Sequence, residues 1–493
     1  MKVNLRDYQD QTIFEAKKKI NQGLKRVIVY APTGCHAKGT KILMFDGSIR
    51  DVETLSAGDK VMGPDSKPRT ILDLHRGIDQ MYMIHPVKGE PFSVNGDHIL
   101  SLIHTTTREI VNISVREWIS KSKNFKHLHK LWRTGVDFKE SPVDLDPYVM
   151  GVLLGDGCIT KSVQISNPDH EIEAYVTDYA TKMGCKITNR TYEQTNCRAY
   201  AVVTDRGQTN PIANILKKYE VLGKNASNKT IPFDFKINSK KVRQEILAGL
   251  LDTDGYLTNN HYDYITKSEE LMNDVAFIAR SLGLACYPTR VKKSWQNGED
   301  WYWRCSISGD VDQIPCKVLR KKGSPRRQIK SVNVTGFNVE ALSPDNYYGF
   351  ECDGDHLYLL ADFTVTHNSG KGEMAVALTQ MALDKGKRVL FVVHRKDLVK
   401  QQWERFAKYG MNPGILQGSN TFRPHNDITV ASIQTFSSRK KFGWDFDFDL
   451  VIIDEAHLCG GSKQYHEFLR THNNLPVLGL TATPFSKGLG KQM

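Results

Sequence analysis

Reactive side chains stand at two points that are far apart in this chain of 493 residues. Cys35 directly follows Gly34, and the pair His367 and Asn368 directly precedes Ser369. A thiolate is a good nucleophile and a good leaving group, and a serine hydroxyl can accept an acyl group. An asparagine amide nitrogen can attack the carbonyl carbon of its own residue and form a succinimide. With histidine to transfer protons, these residue types can break and remake peptide bonds.

The same two points interrupt one phosphate-binding motif. A predicted strand, residues 26–30, leads into Ala-Pro-Thr-Gly at 31–34, and Ser-Gly-Lys-Gly at 369–372 opens an amphipathic helix. Joined, they read Ala-Pro-Thr-Gly-Ser-Gly-Lys-Gly, a nearly complete phosphate loop between a strand and a helix. The segment between them has 334 residues, and the flanks of 34 and 125 residues make 159, the size of one compact α/β domain. The sequence therefore predicts an insertion that breaks a nucleotide-binding loop.

This arrangement resembles the intein family of self-splicing insertions, and the resemblance covers the whole insertion. It implies that Cys35 attacks the carbonyl of Gly34 and that Ser369 then takes the acyl group. Asn368 would release the insertion by cyclising, with His367 assisting. The ester would finally shift to the nitrogen of Ser369 as a peptide bond.

Two internal histidines also match blocks of this family. Phe-Ser-Val-Asn-Gly-Asp-His at 92–98 resembles its internal histidine block, in which His98 would activate the first scissile peptide, although Asn95 stands where threonine is usual. His356 matches a second histidine near the carboxyl end, and Gly349 stands where an aspartate is often found. Taken alone, either histidine would be interpreted as structural.

Two similar motifs lie inside the insertion. Leu-Ala-Gly-Leu-Leu-Asp-Thr-Asp-Gly at 247–255 is close to the LAGLIDADG signature of homing endonucleases, and residues 149–157 form a degenerate copy. Small residues let two such helices pack closely, which would bring Asp156 and Asp254 together as ligands of Mg²⁺ at the phosphates of double-stranded DNA. Lys229 matches the lysine block of that family. Basic and aromatic residues could line a DNA-binding saddle or could form a solvated face; they are Arg290, Lys292, Lys293, Trp295, Trp301 and Trp303. The run 317–330 is expected to be a linker.

The joined flanks resemble the first RecA-like lobe of superfamily-two helicases of the DEAD/DEAH type. The resemblance implies an ATP site, with Gln9 reading the base and Gly34, Gly370 and Lys371 holding the phosphates. Gly372 replaces the usual serine or threonine ligand of Mg²⁺. In the Asp-Glu-Ala-His sequence at 454–457, Asp454 would contact Mg²⁺ and Glu455 would orient the attacking water. A second lobe, which is not in this chain, and a DNA or RNA strand are expected partners.

Composition agrees with soluble globular protein of several domains. The chain is 40% hydrophobic and 25% charged, with a formal net charge of +12 that favours a polyanion partner or simply serves solubility. No secretory signal or membrane span is visible, and nine scattered cysteines without a Cys-x-x-Cys pair argue against a zinc site or disulfide framework. We therefore expect a reduced cytoplasmic setting, in a bacterium or phage-infected cell, and no membrane partner.

The predicted fold is multidomain. It combines an all-β, horseshoe-shaped Hint splicing domain with an α+β LAGLIDADG endonuclease, inserted in an α/β RecA-like lobe with a parallel sheet. The expected segments are 1–34 and 369–493 for the host lobe, 35–140 and 316–368 for the splicing domain, and 141–315 for the endonuclease. Protein splicing, DNA cleavage and ATP-driven helicase work are the candidate functions. A splicing-competent intein with a decayed endonuclease, and a non-catalytic decayed insertion, are the alternatives.

Overall fold

The computed structural model describes ten stretches of the chain, which are 7–30, 34–191, 198–295, 298–325, 330–368, 371–394, 396–418, 420–422, 426–441 and 447–481. No helix within these stretches is both long and apolar enough to cross a membrane. The first two elements are helix α1 (Asp7–Asn21) and strand β1 (Arg26–Tyr30), and the strand lies where the sequence predicts it.

The amino-terminal part of the insertion consists mainly of strands. They are β2 (His36–Ala37), β3 (Lys41–Leu43), β4 (Ile49–Asp51), β5 (Lys60–Met62), β6 (Pro68–Pro86), β7 (Phe92–Asn95), β8 (Ile99–His104), β9 (Ile110–Ser114) and β10 (His129–Trp132). Two short helices, α2 (Val115–Ser120) and α3 (Lys123–Leu128), depart from the all-β expectation, and a serine caps each at its first turn.

The middle of the insertion alternates helices and strands. Its helices are α4 (Pro147–Gly155), α5 (His170–Lys182), α6 (Pro211–Lys218), α7 (Phe233–Lys236), α8 (Lys240–Asp254) and α9 (Glu269–Ser281). Its strands are β11 (Gly157–Cys158), β12 (Gln164–Ser166), β13 (Lys186–Thr191), β14 (Arg198–Val203), β15 (Gly255–Thr258), β16 (His261–Thr266), β17 (Ala285–Cys286), β18 (Thr289–Trp295) and β19 (Gly298–Ser308).

The remaining elements close the insertion and complete the host flank. The insertion ends with β20 (Val334–Thr335), β21 (Phe337–Cys352), β22 (Leu357–Leu359) and β23 (Val365–His367). The host helices are α10 (Lys371–Leu383), α11 (Lys396–Lys408), α12 (Ile433–Lys441) and α13 (Lys463–Thr471). The host strands are β24 (Val389–Val393), β25 (Pro413–Gln417), β26 (Asn420–Phe422), β27 (Ile428–Ser432), β28 (Leu450–Ile453) and β29 (Val477–Thr481).

Strands from both ends of the insertion pair with each other. The long strand β21 runs antiparallel to β6, and β2 and β7 continue the same sheet. In a second sheet β23 pairs with β8 through His367 and Ile99. Consequently the residues before and after the middle segment form one folded unit with a shared core.

The middle unit is built as two similar halves. One half joins α4 to a four-stranded sheet in the order β11-β12-β14-β13, and the other joins α8 to a five-stranded sheet containing β15, β16, β19 and β17, with β18 on β19. One core cluster unites both halves and extends to Cys316 and Val318. The expected linker at 317–330 is therefore wrong in its first residues, because these residues pack against the core of the middle unit.

The host flanks form one sheet although the insertion separates them. The strand order is β1-β29-β28-β24-β27-β25-β26, and the pairings are parallel except that of β26 with β25. Strand β1, from before the insertion, pairs with β29 near the other end of the chain, with Arg26 opposite Val477. The core includes Ile13 and Val29 from the first flank and Met374 from the second. The host sheet is thus assembled in the unspliced chain.

Candidate active sites

Cys35 lies buried at the start of the insertion, held on both sides of its peptide by Asn95. Its backbone N–H donates to Oδ1 of Asn95 over 2.9 Å, and the backbone N–H of Asn95 donates to the carbonyl of Cys35 over 3.0 Å. Asn95 therefore holds the backbone of Cys35, at the position where the intein family usually has threonine. The amide carbonyl of asparagine can accept such a bond just as a hydroxyl oxygen can.

His98 lies beside the peptide bond between Gly34 and Cys35. A Cβ placed on Gly34 would lie 3.2 Å from Nδ1 of His98, and this buried Nδ1 has no hydrogen-bond partner among the described residues. The other ring nitrogen, Nε2, lies 2.6 Å from Oγ1 of Thr366. The ring is thus fixed at one nitrogen, and its second nitrogen faces the first junction.

Burial keeps this histidine neutral. Desolvation, and then the charge of the neighbouring His36, lowers the pKa of His98 well below its usual value. The His36 ring lies 4.6 Å from it, and burial lowers the pKa of His36 to about 3. A neutral imidazole has one donor and one acceptor nitrogen, so His98 can accept a proton from the junction and, once protonated, return it.

Gly349 faces the thiol of Cys35. A Cβ at this position would lie 2.3 Å from Sγ and 3.1 Å from Cβ of Cys35. Only a residue without a side chain fits there while the thiol keeps its position. Related sequences often have an aspartate at this position. In this chain the glycine leaves the space that the thiol of Cys35 occupies.

The carboxyl-terminal junction meets the same strand. The side-chain amide of Asn368 donates to the carbonyl of Phe350, the residue after Gly349, and its backbone N–H donates to the carbonyl of His356 over 2.9 Å. His367 is buried in β23, and its ring centroid lies 6.0 Å from that of His356, which has a left-handed backbone with φ of 62°. The two ends of the insertion therefore converge on two successive residues of β21.

Ser369 and Gly370 lie outside the described residues, and of Lys371 and Gly372 only the helical backbone of α10 is described. The backbone of Gln9 lies in α1. The predicted roles of these five residues remain predictions.

A second site lies between α4 and α8. The two helices touch through glycines, since a Cβ on Gly151 would lie 2.3 Å from the carbonyl oxygen of Ile246, and a Cβ on Gly249 would lie 2.3 Å from that of Tyr148. This close packing sets Asp156, at the end of α4, near Asp254, the last residue of α8. Burial, and then the charge of Asp156, raises the pKa of Asp254 to about 7.

Two lysines occupy equivalent places in this site. Nζ of Lys229 donates to the carbonyls of Leu153, Gly155 and Gly157 at the end of α4, over 2.8 to 3.2 Å. Nζ of Lys321 donates to the carbonyls of Leu251, Asp252 and Thr253 at the end of α8, over 2.6 to 3.2 Å. Both lysines are nine-tenths or more buried.

Lys321 is the residue that the sequence reasoning missed. A signal was present, since Lys229 follows Asp156 by 73 residues and Lys321 follows Asp254 by 67. A search for the same lysine in both repeats would have found it. On the outer sheet of the second half, the guanidinium of Arg290 lies 4.9 Å from the ring centre of the half-exposed Trp301.

The host acids lie at the end of β28, against the insertion. The N–H of Asp454 donates to the carbonyl of Val392 over 2.9 Å, and Glu455 has a left-handed backbone with φ of 50°. Ligand atoms of Glu455, Asp73 and His75 all lie within 4.8 Å of one another. The predicted ATPase glutamate of the host is therefore in contact with β6 of the insertion.

Three family models match the chain. The Hom_end-associated Hint family matches residues 35–139, and the homing endonuclease family matches residues 230–335. The insertion is an intein that carries a homing endonuclease. These domains indicate an enzyme with splicing and DNA-cleavage activity. The family of the res subunit of type III restriction enzymes matches residues 363–486, which fits a helicase-type host for this intein.

Curated relatives resemble the chain over different parts. The catalytic subunit of the V-type proton ATPase of Candida tropicalis is 21% identical over 512 aligned residues, covering 74% of this chain and 46% of the relative. The replicative DNA helicase DnaB of Mycobacterium intracellulare is 26% identical, covering 67% and 56%. A 51.5 kDa protein of a Lactococcus phage is 31% identical, covering 24% and 23%. The chain thus spans between about a quarter and just over half of the length of these relatives.

Solved structures that resemble parts of this long chain have low TM-scores. The gp41-1 intein covers 20% of this chain and 68% of its own, at 15% identity and a TM-score of 0.16. I-DmoI in complex with DNA and Mn covers 33% and 88%, at 14% identity and a TM-score of 0.24. The helicase domain of Pyrococcus furiosus Hef covers 25% and 30%, at 26% identity and a TM-score of 0.23.

Proposed function

We propose that residues 35–368 excise themselves and join Gly34 to Ser369, which restores the phosphate loop of the host. The observation that carries this proposal is the convergence of Cys35 and Asn368 on Gly349 and Phe350 of β21. Joining two chain ends requires that both reactive residues share one site, because acyl transfer needs its reacting atoms in contact.

The reaction would proceed in four steps. The thiol of Cys35 adds to the carbonyl carbon of Gly34, the peptide C–N bond breaks, and the proton lost by sulfur passes to the released amine with help from His98. The hydroxyl of Ser369 displaces the thiol to give an ester. The amide nitrogen of Asn368 attacks its own carbonyl carbon and releases Ser369, with His367 and His356 assisting. The ester then rearranges to a peptide bond.

We further propose that the spliced product is the first RecA-like lobe of a helicase, and that the splicing unit has the horseshoe shape of Hint domains. In the lobe, Gln9, Gly34, Gly370, Lys371 and Gly372 would hold ATP. Asp454 would hold its Mg²⁺ and Glu455 would orient the attacking water. The partners would be a second lobe and a DNA or RNA strand.

The endonuclease is proposed to cut double-stranded DNA with Mg²⁺ held by Asp156 and Asp254. The donor set fits a divalent cation, because burial raises the pKa of both carboxyl groups and the charge of Asp156 raises that of Asp254 further, and a cation would offset both effects. The ion would supply charge stabilisation at the scissile phosphate. Lys229 and Lys321 each carry positive charge to the end of a helix, beside these acids.

Intact mass after expression tests the splicing proposal. Splicing predicts species of about 38 and 18 kDa from the 55.9 kDa chain, in proportion to 334 and 159 of 493 residues. Cys35→Ala should keep the amino-terminal junction whole, and Asn368→Ala should block release at the carboxyl-terminal junction. A wild-type chain that remains at full length under folding conditions with thiols present contradicts the proposal.

A separate experiment distinguishes an active endonuclease from a decayed one. Purified intein would be incubated with Mg²⁺ and a plasmid carrying the joined coding sequence of the two flanks. Linear product that disappears with Asp254→Asn, but not with the exposed control Asp312→Asn, supports the active form. Intact plasmid with a splicing-competent chain supports the decayed alternative.

A further inference from the structure

The host flank contacts the intein beside the carboxyl-terminal junction. Arg405 of host helix α11 forms an ion pair with Glu351 of β21, with 2.6 Å between Nη2 and Oε1. The two side chains are only 16% and 11% exposed, so solvent screens this pair weakly. A second bond joins Nη1 of Arg405 to Oε1 of Gln402 over 3.1 Å, which fixes the guanidinium on its own helix.

Glu351 is the next residue after the acceptor of the Asn368 amide. Phe350 provides that acceptor carbonyl, and Gly349, facing the thiol of Cys35, precedes it. Because successive residues of a strand are rigidly linked, a force that holds Glu351 also fixes the direction of the Phe350 carbonyl. A host side chain is thus one residue removed from the contact that holds the cyclising amide.

A cavity of about 220 Å³ separates the two bodies around this pair. Intein residues Glu351, Asp353 and His356 line one side, and host residues Arg405, Lys408 and Tyr409 line the other. The contact between α11 and β21 is therefore not continuously packed. The ion pair connects these two elements across the cavity. Its loss removes a cation that lies 2.6 Å from a nearly buried carboxylate, and this change in electrostatic energy favours a movement of the strand.

We infer that Arg405, a residue of the host, is a positioning residue for the second half of splicing, because it holds β21 so that the Phe350 carbonyl orients the amide of Asn368. The inference rests on the proposed splicing function. Its consequence is that the intein depends on a folded host lobe, since α11 must be formed and packed on the host sheet before Arg405 can reach Glu351.

Separate rates for cleavage at the two junctions distinguish this positioning role from a general effect on folding. In a Cys35→Ala chain, Asn368 cyclisation alone releases residues 369–493. In an Asn368→Ala chain, dithiothreitol cleaves the thioester formed at Cys35 and releases residues 1–34. Arg405→Ala should slow release of 369–493 about tenfold or more, as small misplacements of reacting groups do, and should leave release of 1–34 nearly unchanged.

Matched variants complete the test. Lys400→Ala removes a cation from the same helix whose ion pair with Glu404 is exposed to solvent, and it should leave both rates unchanged. Arg405→Glu combined with Glu351→Arg should restore release of 369–493 relative to either single change. Equal slowing of both half-reactions by Arg405→Ala, or no recovery in the charge-swapped chain, would overturn the inference. Failure of the Cys35→Ala parent to release 369–493 at all would instead count against the proposed function itself.

Discussion

At the scale of residues, the geometry of the splicing site depends on a missing side chain as well as on the side chains that surround it. Position 349 has no side chain, and the thiol of Cys35 occupies the space that one would fill. His98 has one nitrogen fixed by Thr366 and the other directed at Gly34. The residues at these two contacts are therefore small or neutral, and their effects are steric and orienting.

Gly349→Ala should slow the first step of splicing. The added methyl would lie 2.3 Å from Sγ of Cys35, so the thiol must leave its present position. We expect about a tenfold loss in the rate of dithiothreitol-induced cleavage in the Asn368→Ala background. The control is Gly336→Ala, which precedes the same strand and whose added methyl would meet nothing closer than 3.3 Å. Equal rates for the two variants would contradict the steric explanation.

Asp254→Asn should stabilise the metal-free endonuclease while abolishing cleavage. Because the pKa of Asp254 is raised to about 7, from an ordinary value of 3.8, the folded chain binds this proton more tightly than the unfolded chain. Wild-type stability therefore falls as pH rises through this window, and the neutral amide avoids that loss. We expect a gain of about 2–4 kcal/mol at pH 8, since a tenfold difference in proton affinity corresponds to about 1.4 kcal/mol, and almost none near pH 4.

Thermal unfolding without divalent ions measures this gain. Asp312→Asn, which changes an exposed carboxylate of the same unit, should unfold as the wild type does at both pH values. A stability difference for Asp254→Asn that is the same at pH 4 and pH 8 would show that repulsion and burial of the charge are not its cause.

At the scale of elements, two helices determine the geometry of the endonuclease site. Helices α4 and α8 approach so closely that glycine faces backbone at Gly151 and Gly249, and each helix end carries an aspartate and receives a lysine. The lysines neutralise carbonyls that a helix leaves unpaired at its carboxyl end. The helix pair is therefore both the structural centre of this unit and the place of its proposed site.

Gly249→Val should disrupt this pair. Its side chain would collide with the backbone of Tyr148, which cannot move away as a flexible side chain could, so we expect a loss of about 1–3 kcal/mol and weaker DNA cleavage. Lys241→Ala, on an exposed position of α8, serves as the control. Urea unfolding of the excised intein measures both, and equal midpoints would show that the helices separate at little cost.

At the scale of the whole molecule, the host sheet is assembled in the unspliced chain, while two residues of the proposed nucleotide site lie against the intein. Strands β1 and β29 pair across the insertion, whereas Gly34 is packed against His98 and Glu455 lies with Asp73 and His75 of the intein. The intein thus contacts host residues that the proposed ATP site would need.

The unspliced chain should consequently bind ATP poorly. A precursor trapped by Cys35→Ala and Asn368→Ala should show an affinity for a fluorescent ATP analogue at least about tenfold below that of the spliced lobe, because its phosphate loop is divided by 334 residues. Lys371→Ala in the spliced lobe gives the reference for a lost phosphate contact. Equal affinity before and after splicing would refute this blocking role.

The sequence by itself determined the chemistry and the order of the units. Cys35, Asn368 and Ser369 could be proposed as reactive residues because the reactions require those residue types at the edges of the insertion, and the repeated motifs around Asp156 and Asp254 are contiguous in the chain. Strand β1 was also predictable, since a short, mostly apolar run of residues at 26–30 specifies it.

The tertiary structure alone decided which distant residues meet at these sites. Gly349 beside Cys35, Thr366 beside His98, Lys321 at the end of α8 and Arg405 on Glu351 join segments separated by 54 to 314 residues. Such contacts depend on strand pairing across the endonuclease and on how the host packs against β21. No local pattern encodes them, because their energy arises only when both partners are already folded.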